Sequence, residues 1–196
     1  VSHRGILAVL LLPIGYVAFP YWLAVLAVDQ PVTAFSAWLF FGLYVCFCGR
    51  IILKDMRDVK GDAMFGKRTF LVRHGLPATL KASAAFWIIG SLILCVTLLS
   101  VSVWLPVVVI GHLACVLWCL KTISGYKQPA YQQVGLGAIS KISASTLICV
   151  ALVLITAAKT DTNIAVVQWL AVAIAIYGPA DALYAATRPA AVRVKY

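Results

Sequence analysis

Stretches of mostly apolar residues recur along the chain at about 5–28, 32–52, 78–100, 103–121, 138–158 and 163–186. A helix of about 20 such residues spans the roughly 30 Å hydrocarbon core of a bilayer. In lipid every backbone polar group has to be satisfied inside the spanning structure, which leaves helices or closed barrels. Uninterrupted apolar runs of this length predict helices, so the fold class expected is all-α, a polytopic membrane helical bundle of about six transmembrane helices. Only 11% of the 196 residues are charged and 63% are apolar, which excludes an ordinary soluble domain. Pro13 and Pro20 fall within the first stretch and predict a kink there, tolerable in a membrane where neighbouring groups satisfy the freed carbonyls.

The net charge of +10 is topological in meaning. No basic stripe with interleaved aromatics lies outside the connections between spans, so no nucleic-acid partner is expected. Arg4, the eight basic residues from Arg50 to Lys81, the three from Lys121 to Lys141 and the three after the last span all fall on one side of a six-span chain. Only Lys159 falls on the other. The positive-inside rule assigns the basic side, with both chain ends and the 50–81 loop, to the cytoplasm. The opposite turns, around Asp29, Ser100 and Lys159, are short, so any chemistry is expected on the cytoplasmic side. Cys46, Cys48, Cys95, Cys115, Cys119 and Cys149 all lie in apolar stretches without paired CxxC spacing, which predicts packed thiols and neither a disulfide framework nor a structural metal.

The chain has no glutamate, and three of its six aspartates fall within eight residues, in Lys54-Asp55-Met56-Arg57-Asp58-Val59-Lys60-Gly61-Asp62. If the second helix continues past Arg50, spacings of three and four put Asp55, Asp58 and Asp62 on one face. Carboxylates so placed repel one another unless basic neighbours or a hard divalent cation compensate. The two readings are a solvated, salt-bridged helix end and a magnesium site. Magnesium commonly binds through one or two carboxylates plus substrate phosphates. Gly66-Lys67-Arg68-Thr69 and Arg73-His74-Gly75 follow with charge-assisted donors suited to phosphate oxygens, or, read plainly, with positive-inside anchors.

This segment resembles the second aspartate-rich motif of the UbiA-type intramembrane prenyltransferases. The likeness runs from Lys54-Asp55 through Asp58 and Gly61-Asp62 to Phe65-Gly66-Lys67-Arg68-Thr69 and Arg73-His74-Gly75. The resemblance implies magnesium-dependent transfer of a prenyl group from an allylic polyprenyl diphosphate to a hydrophobic, aromatic or quinone-precursor acceptor within the membrane. It implies Asp55, Asp58 and Asp62 as catalytic metal ligands and Lys67, Arg68 and Lys54 as diphosphate-binding residues. The family's earlier Asn-Asp motif has no counterpart here, since the one asparagine is Asn163. The resemblance therefore implies that residues 1–196 form a single transmembrane domain from the C-terminal portion of a nine- or ten-helix protein, about four helices preceding it.

Two rival classes make different demands. A transporter requires polar groups at mid-membrane depth and related pairs of broken helices, and His112 alone points that way. A noncatalytic protein whose basic loop binds lipid headgroups requires lysines and arginines but no ordered aspartates. His112 reads more simply as a packed histidine. Asp181 could pair with Arg188 and is assigned no role. Trp38, Tyr44 and Phe47 could line a prenyl channel or face lipid, and Tyr16, Tyr21 and Trp22 read as interfacial anchors.

Overall fold

The computed structural model describes residues 5–28, 31–57, 59–126, 129–157 and 164–187. Among them six helices are long and apolar enough to cross a membrane: Ile6–Ala27, Ala34–Arg57, Phe70–Leu98, Trp104–Gly125, Gln132–Leu154 and Val166–Thr187. No strand occurs among the described residues. The chain is an integral, all-α membrane protein. It divides into two compact units, one ending at Leu98 and one beginning at Leu99.

In the first unit, α1 (Ile6–Pro13), a π-helical turn (Ile14–Ala18) and α2 (Phe19–Val28) form one span. The kink expected from Pro13 and Pro20 takes the form of this widened turn, because a proline ring lacks an N–H and excludes the carbonyl four residues earlier. The Ile14 amide turns to the carbonyls of Leu11 and Leu12, and the Leu10 carbonyl accepts the Tyr44 hydroxyl from α3 (Ala34–Ile51). Phe47 of α3 packs against Tyr16 with ring centroids 5.8 Å apart. Tyr44 and Phe47 thus join the first two spans, whereas Trp38 remains 56% exposed. Thr33 and Ser36 form a reciprocal cap that starts α3, satisfying amides that otherwise lack partners.

The centre of this unit is α3 against α5 (Phe70–Leu98), and small residues permit it. A Cβ on Gly90 would meet Cys46 Sγ at 2.5 Å and the Cys46 amide nitrogen at 2.7 Å, and one on Gly49 would meet Trp87 Cδ1 at 2.9 Å. The Ser83 hydroxyl donates to the Gly49 carbonyl at 2.7 Å. Lipid is as apolar as leucine, so helices associate in it through such close backbone approach and interhelical hydrogen bonds.

In the second unit, α6 (Trp104–Gly125), α7 (Pro129–Ala157) and α8 (Ile164–Thr187) pack together. Pro179 cannot donate to Ala175, four residues earlier in α8. The buried His112 of α6 supplies the missing donor, its Nε2 lying 3.0 Å from the Ala175 carbonyl, while Nδ1 lies 2.6 Å from the Thr146 hydroxyl of α7. A carbonyl only accepts, so Nε2 carries the proton that faces Ala175, and the Thr146 hydroxyl at Nδ1 also lies 2.9 Å from the Ile142 carbonyl of its own helix. The Ser145 hydroxyl donates to the Ile174 carbonyl, one residue earlier in α8. His112 is therefore the packed histidine expected, with a role that joins three helices. His112→Leu should lower the unfolding free energy of the intact protein by about 1–2 kcal/mol, measured by detergent titration.

Three expectations are corrected. α7 begins at Pro129 rather than near 138, because proline suits a first helical position, where its missing N–H is not needed. Lys141 therefore sits well inside α7 rather than within a turn of its start. It pairs with Asp181, an aspartate assigned no role from the sequence; Arg188, one partner open to it there, lies outside the described residues. Finally, α3 does not continue through the acidic cluster. The Leu53 amide bonds back to the Arg50 carbonyl and the Met56 amide to that of Leu53, tightening the chain into a 3-10 helix over Lys54–Arg57. This turn buries Ile52 and Leu53 almost completely. A helix interrupted there cannot carry Asp55 and Asp62 in one continuous register.

Candidate functional site

The segment between the second and third spans is built from short, individually terminated pieces. After the 3-10 helix, α4 runs over Val59–Met64. Gly66 ends it with φ at 66°, a left-handed conformation that glycine adopts without strain. The Gly66 amide bonds to the Ala63 carbonyl at 3.2 Å and the Lys67 amide to the Asp62 carbonyl at 2.8 Å, the paired bonds of a Schellman ending.

The same reversal brings the Lys67 side chain back over the helix it has just left. Lys67 Nζ lies 3.0 Å from Asp62 Oδ1. Asp62 is only 7% exposed, so its carboxylate has left bulk water and meets a cation there, as a buried charge requires. Two residues later Thr69, almost fully buried, accepts the Val72 amide at 3.3 Å through its hydroxyl and caps the start of α5. Lys67 and Arg68 thus bridge a helix end and a helix start. Gly66→Ala meets no atom within 4 Å, so its cost comes from φ alone, about 1–2 kcal/mol. It should loosen the Asp62–Lys67 pair, visible as faster amide exchange at Gly66 and Lys67 than in the native protein.

The other residues singled out from the sequence are placed as follows. Asp55 is half-buried on the 3-10 helix, beside exposed Lys54 and Arg57, and Arg68 is exposed beyond Gly66. Asp58 lies outside the described residues. Arg73 is exposed, and the His74 ring lies 4.6 Å from that of Phe70. Gly75, with φ at 75° and ψ at 173°, breaks α5 ahead of Pro77. The expected third span, from about 78, is thereby recovered as the part of α5 beyond this break. Arg50, at the end of α3, lies 5.7 Å above the Phe47 ring, within cation–π range.

The structure therefore brings Asp62 and Lys67 together directly. Among the described residues no three His, Cys, Asp or Glu side chains gather as a metal cage. The donors present are nevertheless hard carboxylate oxygens, one of them buried, with cations on the adjoining turn. That set suits a magnesium ion that takes one or two protein carboxylates and completes its shell with phosphate and water. Sequence reasoning named Gly66 and Thr69 within the motif but not their work as helix stop and helix cap. The signals were legible: glycine after a helical run, then threonine directly before an apolar one.

A family model described as "UbiA prenyltransferase family" matches residues 2–135, spanning the acidic connector and the helices on either side of it. No curated protein and no solved structure matches the chain. With two-thirds of the chain accounted for by that model, the protein belongs to the UbiA prenyltransferase family and is a membrane-embedded, prenyltransferase-type enzyme.

Proposed function

We propose that the intact protein transfers a prenyl group from an allylic polyprenyl diphosphate to a hydrophobic acceptor, an aromatic ring or quinone precursor, with the 50–81 segment on the cytoplasmic side. The observation that carries this reading is the buried Asp62 carboxylate, held against Lys67 by the Gly66 turn in the connector between two membrane-length helices. A carboxylate and a cation so held are donor and counter-charge to a metal–diphosphate group, whereas a simple basic anchor has no use for the buried acid.

In this reading Asp55, Asp58 and Asp62 hold magnesium, Lys67 and Arg68 bind the diphosphate, and Lys54 assists from the 3-10 helix. When bound, magnesium neutralises the charge that develops on the diphosphate oxygens as the allylic C–O bond breaks. Arg68 offers a planar fork of donors to the same oxygens, and Lys67 a mobile point charge. The electron pair of the broken bond leaves with diphosphate. The acceptor ring supplies the electrons of the new C–C bond and then loses a proton. The apolar helices keep water from the allylic cation.

Lys67 cannot serve Asp62 and the diphosphate at full strength at once. Turning it to the diphosphate leaves the buried carboxylate in need of another cation, so metal and diphosphate bind as coupled partners.

The test is binding of a nonhydrolysable allylic diphosphate analogue to the intact protein in detergent, with and without magnesium, for the native protein and for Asp55→Ala/Asp58→Ala. Binding that requires magnesium and collapses in the double variant supports the proposal. Binding that is absent, or indifferent to both, leaves the segment as a solvated positive-inside anchor.

A further inference from the structure

The connector carries two large apolar side chains that the metal and diphosphate chemistry does not use. Met64 is 83% exposed and Phe65 is 76% exposed, and both lie between the span ending at Arg57 and the span beginning at Phe70. Exposed leucines and tryptophans on the six spans have lipid chains to cover them, whereas Met64 and Phe65 lie outside those spans. Two adjacent large apolar side chains exposed together form a candidate interaction surface.

The local structure explains why the two residues point away from the protein. A Schellman ending ordinarily closes with an apolar contact between the residue after the glycine and the last helical turn. Here those positions are Lys67 and Asp62, and the contact is their ion pair. Met64, two residues after Asp62, projects about 200° around the helix from it, so burying Asp62 turns Met64 outward. Phe65 follows, at the residue before the left-handed Gly66.

We infer that α4 and its C-terminal turn dock on the surface of an anionic bilayer, with Met64 and Phe65 entering the headgroup layer. Two features choose this occupant. Both ends of the connector are tied to membrane-length helices, and α4 is only about 9 Å long, so these side chains are held close to the headgroups. The exposed cations before α4, Lys54 and Arg57, and after it, Arg68, complement acidic phospholipids. Apolar side chains with flanking basic residues are the composition of interfacial membrane contacts. Docking would hold the Asp62–Lys67 turn at the depth of a lipid-borne diphosphate.

The experiment uses the intact protein in vesicles of phosphatidylcholine and phosphatidylglycerol, with the connector facing outward. Trypsin cleavage after Arg57, Lys60, Lys67 or Arg68 is timed for the native protein and for Met64→Ser/Phe65→Ser, whose thermal transition is checked against the native one. The double variant is expected to be cut about tenfold faster. In parallel, a photoreactive benzoyl group placed at Phe65 is expected to yield phospholipid adducts by mass spectrometry. Equal cleavage rates overturn the proposal. So do adducts confined to peptide, which would identify a protein partner or another part of the chain, and so does a folded, labelled protein that yields no lipid adduct.

Discussion

Asp62→Asn in the intact protein is expected to lower prenyl transfer by two to three orders of magnitude while leaving the helices folded. The substitution keeps the shape of the side chain and removes the charge that Lys67 meets at 3.0 Å. Loss of one preorganised electrostatic element at a reacting centre typically costs roughly 100- to 1000-fold. A residual rate within about threefold of the native one would remove Asp62 from the diphosphate chemistry.

Lys67→Met gives the opposite pattern in binding. Without the competing ammonium group, Asp62 is left a buried charge short of a cation, so divalent metal alone should bind about tenfold more tightly. The diphosphate analogue should bind more weakly, since one of its donors is gone. Manganese, followed by its free-ion resonance, reports the first effect, and displacement of labelled analogue reports the second. If both affinities fall together, Lys67 is not exchanged between Asp62 and the diphosphate.

Gly90→Val is expected to be the most damaging change to the fold of the first unit. The added Cβ would stand 2.7 Å from the Cys46 amide nitrogen and 2.9 Å from the Gly42 carbonyl oxygen. Those atoms are backbone and cannot swing aside, so α3 and α5 have to separate. Overpacking usually costs about 1–3 kcal/mol where side chains can adjust, and a backbone clash belongs at or above the top of that range. A fall in stability of about 3 kcal/mol or more, with loss of the Ser83–Gly49 hydrogen bond, is the expected result by detergent titration. Gly111→Ala, at a position where nothing lies within 4 Å of an added Cβ, should be nearly silent in the same assay. If the two variants behave alike, the close approach of α3 and α5 is not what holds that pair together.

Much of the candidate site was legible because its residues are local in sequence. Asp55, Asp58 and Asp62 stand out in a chain without glutamate, and Lys67 and Arg68 follow within a few residues. How these groups are presented was not legible. A one-face register assumed that helix formation would persist past Arg50, but burial of Ile52 and Leu53 outweighed continuity and broke the helix. Tertiary burial routinely overrides the weak local preference to extend a helix. Asp62 was read as a metal ligand and Lys67 as a diphosphate ligand; that they meet each other depends on the φ of Gly66.

The sequence by itself determined the all-helical membrane class and the six spans, because a bilayer imposes length and apolarity on each crossing independently of its neighbours. It also determined where the ionisable residues are concentrated, because they are costly in lipid and collect where water is near. Only the tertiary structure decided which small residues let α3 and α5 touch, which carbonyl His112 satisfies, and which cation partners Asp181. Those outcomes depend on groups far apart in the chain meeting at hydrogen-bonding or contact distance: the Ala175 carbonyl freed by Pro179 and a histidine on another helix, or Lys141 and Asp181 on adjacent helices. Spacing along one helix does not encode them.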